Sequence, residues 1–195
     1  MEFYINDEKI DVSLEDERTV GDVLKSLELT CQENEAEVIG IQIDGQKVTA
    51  EIFDEIAQKE LSGKEKFEFS VITKKAVFES FKRLSELFRD LSAKMESVPL
   101  ELQTGRDKEA HSAIKVLADS IEDFCHVATL SSLFSDFTEI KINGMEFSAF
   151  FADFQPILKD FEDALKNNDT VTVGDLAEYE ICPRLISIAE TLENI

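Results

Sequence analysis

Histidine is scarce in this chain: His111 and His126 are the whole supply among 195 residues. They stand 15 positions apart in one predicted helix, about 22 Å along its axis, too far to serve a single site. His126 has Glu122 one turn before it and Asp123 at i−3. A di-iron helical site, however, needs two Glu-x-x-His helices and a glutamate from each of two others, and only Asp123-x-x-His126 occurs here. On a wheel of about 100° per residue, His126 falls opposite the predicted apolar stripe and points to water, while His111 sits at the stripe's border. No metal site is expected.

Cysteine is equally sparse. Cys31, Cys125 and Cys182 are odd in number and widely spaced. With no CxxC or CxxxC pair, neither a disulfide framework nor a zinc knuckle can be built. All three read as small buried or half-buried apolar residues. Motifs that cradle phosphate or arm a nucleophile are missing too: G-x-S-x-G, GxxxxGK[ST], GxGxxG and HExxH do not occur. "LSGKEK" contains Ser-Gly-Lys, but with one glycine and the wrong order it cannot hold a phosphate. The expectation is no catalytic residue, no cofactor and no enzyme.

Basic residues are outnumbered, 20 against 42 acidic, for a net charge of −22. The excess is spread evenly, with 19 acidic and 7 basic residues up to Thr73 and 23 and 13 after it. Such a field repels nucleic-acid backbones and anionic lipid and steers basic partners. No window approaches 18 uninterrupted apolar residues, and "MEFYINDEKID" has neither a basic nor an apolar leader region. The expectation is a soluble cytoplasmic protein that binds neither nucleic acid nor membrane.

What the chain does contain is 43% hydrophobic residues, including 15 Phe, ample for a core. Up to Thr73 the period is two. "FYI" and "KIDVSL" alternate about Asn6-Asp7-Glu8 as a hairpin. "TVGDVLKSL" starts a helix, with Thr19 as N-cap and Asp22 three residues on. "EVIGIQIDGQKV" places Ile39, Ile41 and Ile43 on one side of a strand before the Asp44-Gly45 turn. "EIFDEIAQKEL" reads as a short helix, and "KFEFSVIT" alternates Phe67, Phe69 and Val71.

This order, β-β-α-β-β-α-β over residues 1–73, resembles the ubiquitin-like β-grasp superfamily. The resemblance rests on the order of elements and implies that the first and last strands pair in parallel at the sheet centre. Carriers and modifiers of that superfamily end in a free Gly-Gly tail. Here the last strand runs straight into "KKAVFESF", so that chemistry is implied against, while adaptor and regulatory roles stay open.

From Lys74 the period becomes 3.6. Val77, Phe81, Leu84, Phe88, Leu91, Met95 and Val98 form a strict heptad seam of about 32 Å, closed by Pro99 and Thr104-Gly105. The seam is expected to face the other helices; pairing with a second chain, a homodimer through the helical domain, is the alternative. A second helix from about Asp107 carries Ala110, Ala113, Ile114, Leu117, Ile121, Phe124 and Ala128, with Leu130, Leu133, Phe134 and Phe137 continuing it or forming a separate turn. Asn143-Gly144 interrupts the pattern. "FSAFFADFQPILKDF" then gathers Phe147, Phe150, Phe151, Phe154 and Phe161 on one arc, a core wall with Pro156 on the outer face.

The last helix is expected from about Thr172, whose Thr-Val-Gly-Asp repeats the start at Thr19 and reads as the same cap. Its stripe is Ile181, Leu185, Ile188 and Leu192. On a regular wheel Glu178 falls on that stripe, one turn ahead; the first reading is that this turn is still exposed, and the alternative is a buried polar anchor, with Glu178, Tyr179 and Arg184 as candidate partner or ligand contacts. The fold expected is α+β: residues 1–73 a β-grasp domain, residues 74–195 an antiparallel four-helix bundle. The function expected is a non-enzymatic interaction or adaptor protein with a protein partner; the alternatives are a secretion or export chaperone, or a small-molecule-binding regulatory module.

Overall fold

The computed structural model describes the backbone of residues 1–195 and every side chain but that of Asp107. The chain divides into two compact units, Met1–Ala76 and Val77–Ile195.

In the first unit, β1 (Glu2–Ile5) and β2 (Glu8–Ile10) form a hairpin in which Ile5 pairs with Glu8. Asn6 and Asp7 both hold positive φ, 50° and 67°, the two-residue turn that matches strand twist. β2 is shorter than the alternation predicts: Val12, beyond its end, is 42% exposed. Helix α1 (Val20–Glu33) begins with a reciprocal capping box between Thr19 and Asp22 and buries Val20, Val23 and Leu24. At its first turn a Cβ on Gly21 would lie 2.9 Å from the Ala57 carbonyl oxygen, closer than side-chain carbons come. Glycine is what lets α1 start against the end of α2 (Ala50–Ala57).

β3 (Ala36–Ile43), β4 (Gln46–Lys47) and β5 (Lys66–Thr73) complete a mixed sheet of order β2-β1-β5-β3-β4. β1 and β5 run parallel, as the order of elements implies, and β5 is central. Phe3 stacks on Phe67 with centroids 5.0 Å apart, and both lie in the core with Phe69, Ile43 and Ile56. Ile39 departs from its expected place. The pairing passes from Val38↔Val71 directly to Gly40↔Ser70, so Ile39 is the extra residue of a β-bulge. The bulge shifts the inside–outside alternation: Val38, Ile41 and Ile43 pack on the core, whereas Ile39 is 47% exposed.

α3 (Lys74–Gln103) is one 30-residue helix, of which Val77–Gln103 belong to the second unit. All seven heptad-seam residues from Val77 to Val98 are buried within the single chain, so the seam is not available to a second copy. Pro99 does not close the helix but lies inside it. α4 (Asp107–Ser131) follows, then a 3₁₀ turn at Ser135–Phe137. The stripe does not continue evenly past Ser131: Phe134 and Phe137 are buried while Leu133 is 46% exposed. α5 (Phe147–Lys166) buries Phe150, Phe154 and Phe161 and exposes Pro156.

Phe124 of α4 is the hub. Its ring lies 6.3 Å from Phe81 and 5.9 Å from Phe88 of α3, and 5.2 Å from Phe147 and 5.1 Å from Phe151 of α5. Two of these pairs are tilted and two, with Phe88 and Phe147, are edge-on, the arrangement that suits aromatic quadrupoles. The chain ends in three helical pieces without a break: α6 (Thr170–Leu176), a π-helical turn (Ala177–Ile181) and α7 (Cys182–Glu193).

Candidate functional site

Thr172 is not the cap of the last helix. The N-cap is Asp169, whose carboxylate accepts from the Thr172 N–H at 3.1 Å and from its hydroxyl at 2.6 Å. A carboxylate placed three residues earlier satisfies the orphan amide and favours the positive helix end, which carries the start back to Thr170.

The π turn then resets the register. Bonding from i to i+5 advances each residue by less than the 100° or so of an α-helix, so Ala177, not Glu178, stays in line with Ile181. Val173, Ala177, Ile181, Leu185, Ile188 and Leu192 form the buried stripe. Glu178 is exposed and Tyr179 is 64% exposed. Glu178 hydrogen-bonds and repels charge at the neighbouring phenol, raising the Tyr179 pKa above its ordinary value.

Arg184 is turned elsewhere. Its guanidinium meets the Glu180 carboxylate at 2.6 Å and the Glu180 carbonyl at 3.1 Å, and reaches Asp153 of α5 at 2.9 Å. It also lies 5.8 Å from the centre of the Phe154 ring. Arg184 therefore braces α7 against α5, while Glu178 and Tyr179 lie exposed within the π turn.

Beside Glu178 a cleft of about 690 Å³ opens between the end of α3 and the start of the last helix. One wall is Glu96, Pro99, Leu100 and Gln103, a single face of α3 at i, i+3, i+4 and i+7. The other is Thr170, Val171, Gly174 and Asp175, with Ala177 and Glu178 from the π turn. The walls meet where Pro99 sits on Gly174: a methyl added at Gly174 would touch the proline at 3.4 Å, ordinary van der Waals contact. Leu100 is 56% exposed and Val171 68%. Glu96, Asp175 and Glu178 are exposed around them. The cleft thus offers apolar contact ringed by negative charge. Leu100 and Val171 carry a sequence signal, since each is an apolar residue lying off its own helix's buried stripe.

A second groove of about 590 Å³ runs between α4 and α5, floored by Ile114, Leu117, Ile121, Leu158, Phe161 and Leu165. His111, Lys115, Glu122 and Glu162 lie along it, a mixture of charges. His126 is exposed, as its wheel position implies. Cys31 and Cys182 are buried, but Cys125, next to the hub Phe124, is exposed, because it falls one step round α4 from the core. Desolvation raises all three thiol pKa values, which disfavours the reactive thiolate.

The "LSGKEK" segment binds an anion of its own. The Ser62 and Gly63 N–H groups donate to the Glu65 carboxylate at 2.6 and 3.0 Å. Glu65 is 8% exposed. Its burial opposes the charged form, yet donors from Ser62, Gly63 and the Glu65 amide itself prevail and bring its pKa down to about 2.

A family model described as "Domain of unknown function (DUF8042)" matches residues 79–191. The chain belongs to this family. Residues 1–73 match a second family model, described as "TP0873 N-terminal domain". A protein of Treponema pallidum (strain Nichols), described as an uncharacterized protein, is 22% identical over 183 residues, covering 94% of this chain and 92% of its own length. No solved structure matches the chain. The cleft, lined by residues 96–103 and 170–178, lies wholly within the span of the DUF8042 match.

Proposed function

We propose that this chain is a non-enzymatic interaction protein of the cytoplasm, which docks a protein partner in the cleft between α3 and the last helix. Its N-terminal unit is read as a ubiquitin-like β-grasp module, supported by the parallel β1/β5 pair at the sheet centre and by α1 packed on one face. Its second unit is read as an antiparallel four-helix bundle of α3, α4, α5 and the 170–193 helix, supported by the phenylalanine contacts that join α3, α4 and α5 and by the Ser85–Ala189 and Ser92–Cys182 contacts that join α3 to the last helix.

The observation that carries the proposal is the pair Leu100 and Val171, two large apolar side chains more than half exposed on facing walls of one cleft. Exposed apolar groups gathered in a concavity and rimmed by polar ones are what a docking site requires. The test is affinity capture from native-host lysate with the tagged full chain, followed by mass spectrometry, using wild type and the Leu100→Asp/Val171→Asp variant. A protein retained by the first and lost from the second, at equal melting temperature, supports the reading. Capture that ignores both substitutions overturns it.

The α4–α5 groove favours a second reading, a small-molecule regulatory module. Its volume lies in the range of ligand pockets and its floor is apolar. Ligand-induced thermal stabilisation abolished by Ile121→Glu, with the cleft variant unaffected, would select that reading.

A further inference from the structure

Resting on that reading of the cleft, we propose that the segment it receives is a short basic amphipathic helix of the partner. Both walls are α-helices, whose interior backbone groups already bond to one another. An extended peptide laid between them would leave its own N–H and C=O groups without partners, whereas a helix brings those bonds with it. The α3 wall from Glu96 to Gln103 spans about 10 Å, the length of two helical turns. Apolar side chains at i, i+3, i+4 and i+7 of an incoming helix would cover Leu100, Pro99 and Val171 together.

Charge selects the rest of the occupant. The α4–α5 groove has Lys115 in its lining, and other grooves elsewhere on the surface are lined in part by Lys47, Lys25 or Lys159. This cleft has Glu96, Asp175 and Glu178 and, among the described residues that line it, no cation. In a chain of net charge −22, an acidic or neutral helix would meet repulsion or no attraction there. Lysines or arginines flanking the apolar stripe would each find a carboxylate and would speed the encounter.

The test titrates the full chain into a labelled synthetic peptide of about four helical turns, with leucine at i, i+3, i+4 and i+7 and lysine and alanine elsewhere. One control has the same composition without the stripe, and the other has glutamate for lysine. Anisotropy is read at about 50 mM and about 300 mM salt. The basic striped peptide should bind at least about tenfold more tightly than either control. Leu100→Ser/Val171→Ser and Glu96→Gln/Asp175→Asn/Glu178→Gln should each weaken it about tenfold, and the second should also flatten the salt dependence. All five positions are exposed, and circular dichroism verifies that the variants fold.

Equal binding of the unstriped peptide, preference for the acidic one, or indifference to both variants overturns the assignment. If the apolar variant loses lysate capture while the neutralised one keeps both capture and peptide binding, the cleft docks a partner but not a basic helix. Loss of capture and of peptide binding in both variants supports the two proposals together.

Discussion

The Ser85 hydroxyl donates to the Ala189 carbonyl oxygen at 2.8 Å, in the interior where α3 meets α7. Seven residues on, Ser92 and Cys182 repeat the meeting, each side chain aimed at the other's carbonyl at 3.4 Å. The two serines follow seam residues Leu84 and Leu91, so one heptad period sets a second, narrow row of small side chains beside the large one. Ser85→Leu should therefore cost about 2–3 kcal/mol by overpacking, against about 1 kcal/mol for Ser85→Ala, which loses only the hydrogen bond. Urea unfolding of both variants measures the difference; equal midpoints would show that the helices are not held this close.

The legible parts of this fold are those set by local periodicity. The seam from Val77 to Val98 and the Thr19–Asp22 box need only spacing and residue type, and both stand where the pattern puts them. The parallel β1/β5 pair is where the resemblance of residues 1–73 implies it. Ile39 lies off its expected side and Glu178 off the regular wheel's stripe for a common reason: each lies at a point where one residue is added to a regular element. A bulge breaks the period of two and a π turn breaks the period of 3.6, and neither leaves a mark in composition. Thr172 misled because a Thr-Val-Gly-Asp string serves as a cap only where no better acceptor, here Asp169, precedes it. The cleft itself comes from two segments some 70 positions apart in sequence, so only the oddity of Leu100 and Val171 was visible beforehand.

Phe154 is fully buried, with its ring 6.0 Å and edge-on to Phe150. Phe154→Ala should lower stability by roughly 3–5 kcal/mol through lost burial and the cavity left behind. Leu100→Ala, on the exposed wall of the cleft, should change it by no more than about 0.5 kcal/mol. Thermal melts of the pair separate core from binding surface. Unchanged melting for Phe154→Ala with lost partner capture would assign those rings to the wrong side.

Glu65 makes stability depend on pH in a defined window. Its folded pKa of about 2 lies below the ordinary 4.5, so folding favours the ionised form. The resulting stabilisation is complete above pH 4.5 and is lost as the pH falls from there toward 2. Glu65→Gln removes the charge and one of the two acceptor oxygens facing Ser62 and Gly63. At pH 7 it should cost about 2–3 kcal/mol, and the gap to wild type should close progressively below pH 4.5. A gap that is constant from pH 7 to pH 3 would mean that the carboxylate is not held by those amides.

The π turn at Ala177–Ile181 has the geometry of one residue inserted into an otherwise continuous helix, and deleting Glu180 tests what that residue does. In the shortened chain Val173, Leu176 and Ala177 would stand seven, four and three positions before Ile181, all on one α-helical face. The core stripe would survive with regular i→i+4 bonding. Helix content should therefore hold, and the melting midpoint should stay the same or rise, the only loss being the surface Glu180–Arg184 pair, worth a few tenths of a kcal/mol. Glu178 and Tyr179, no longer carried outward by the wider turn, would swing round the helix and leave the cleft's rim. Partner capture should weaken while stability does not, the pattern expected where a π turn serves a site and not the core. If the deletion unfolds the chain, the turn is needed for packing; if capture is unaltered, Glu178 contributes nothing to docking.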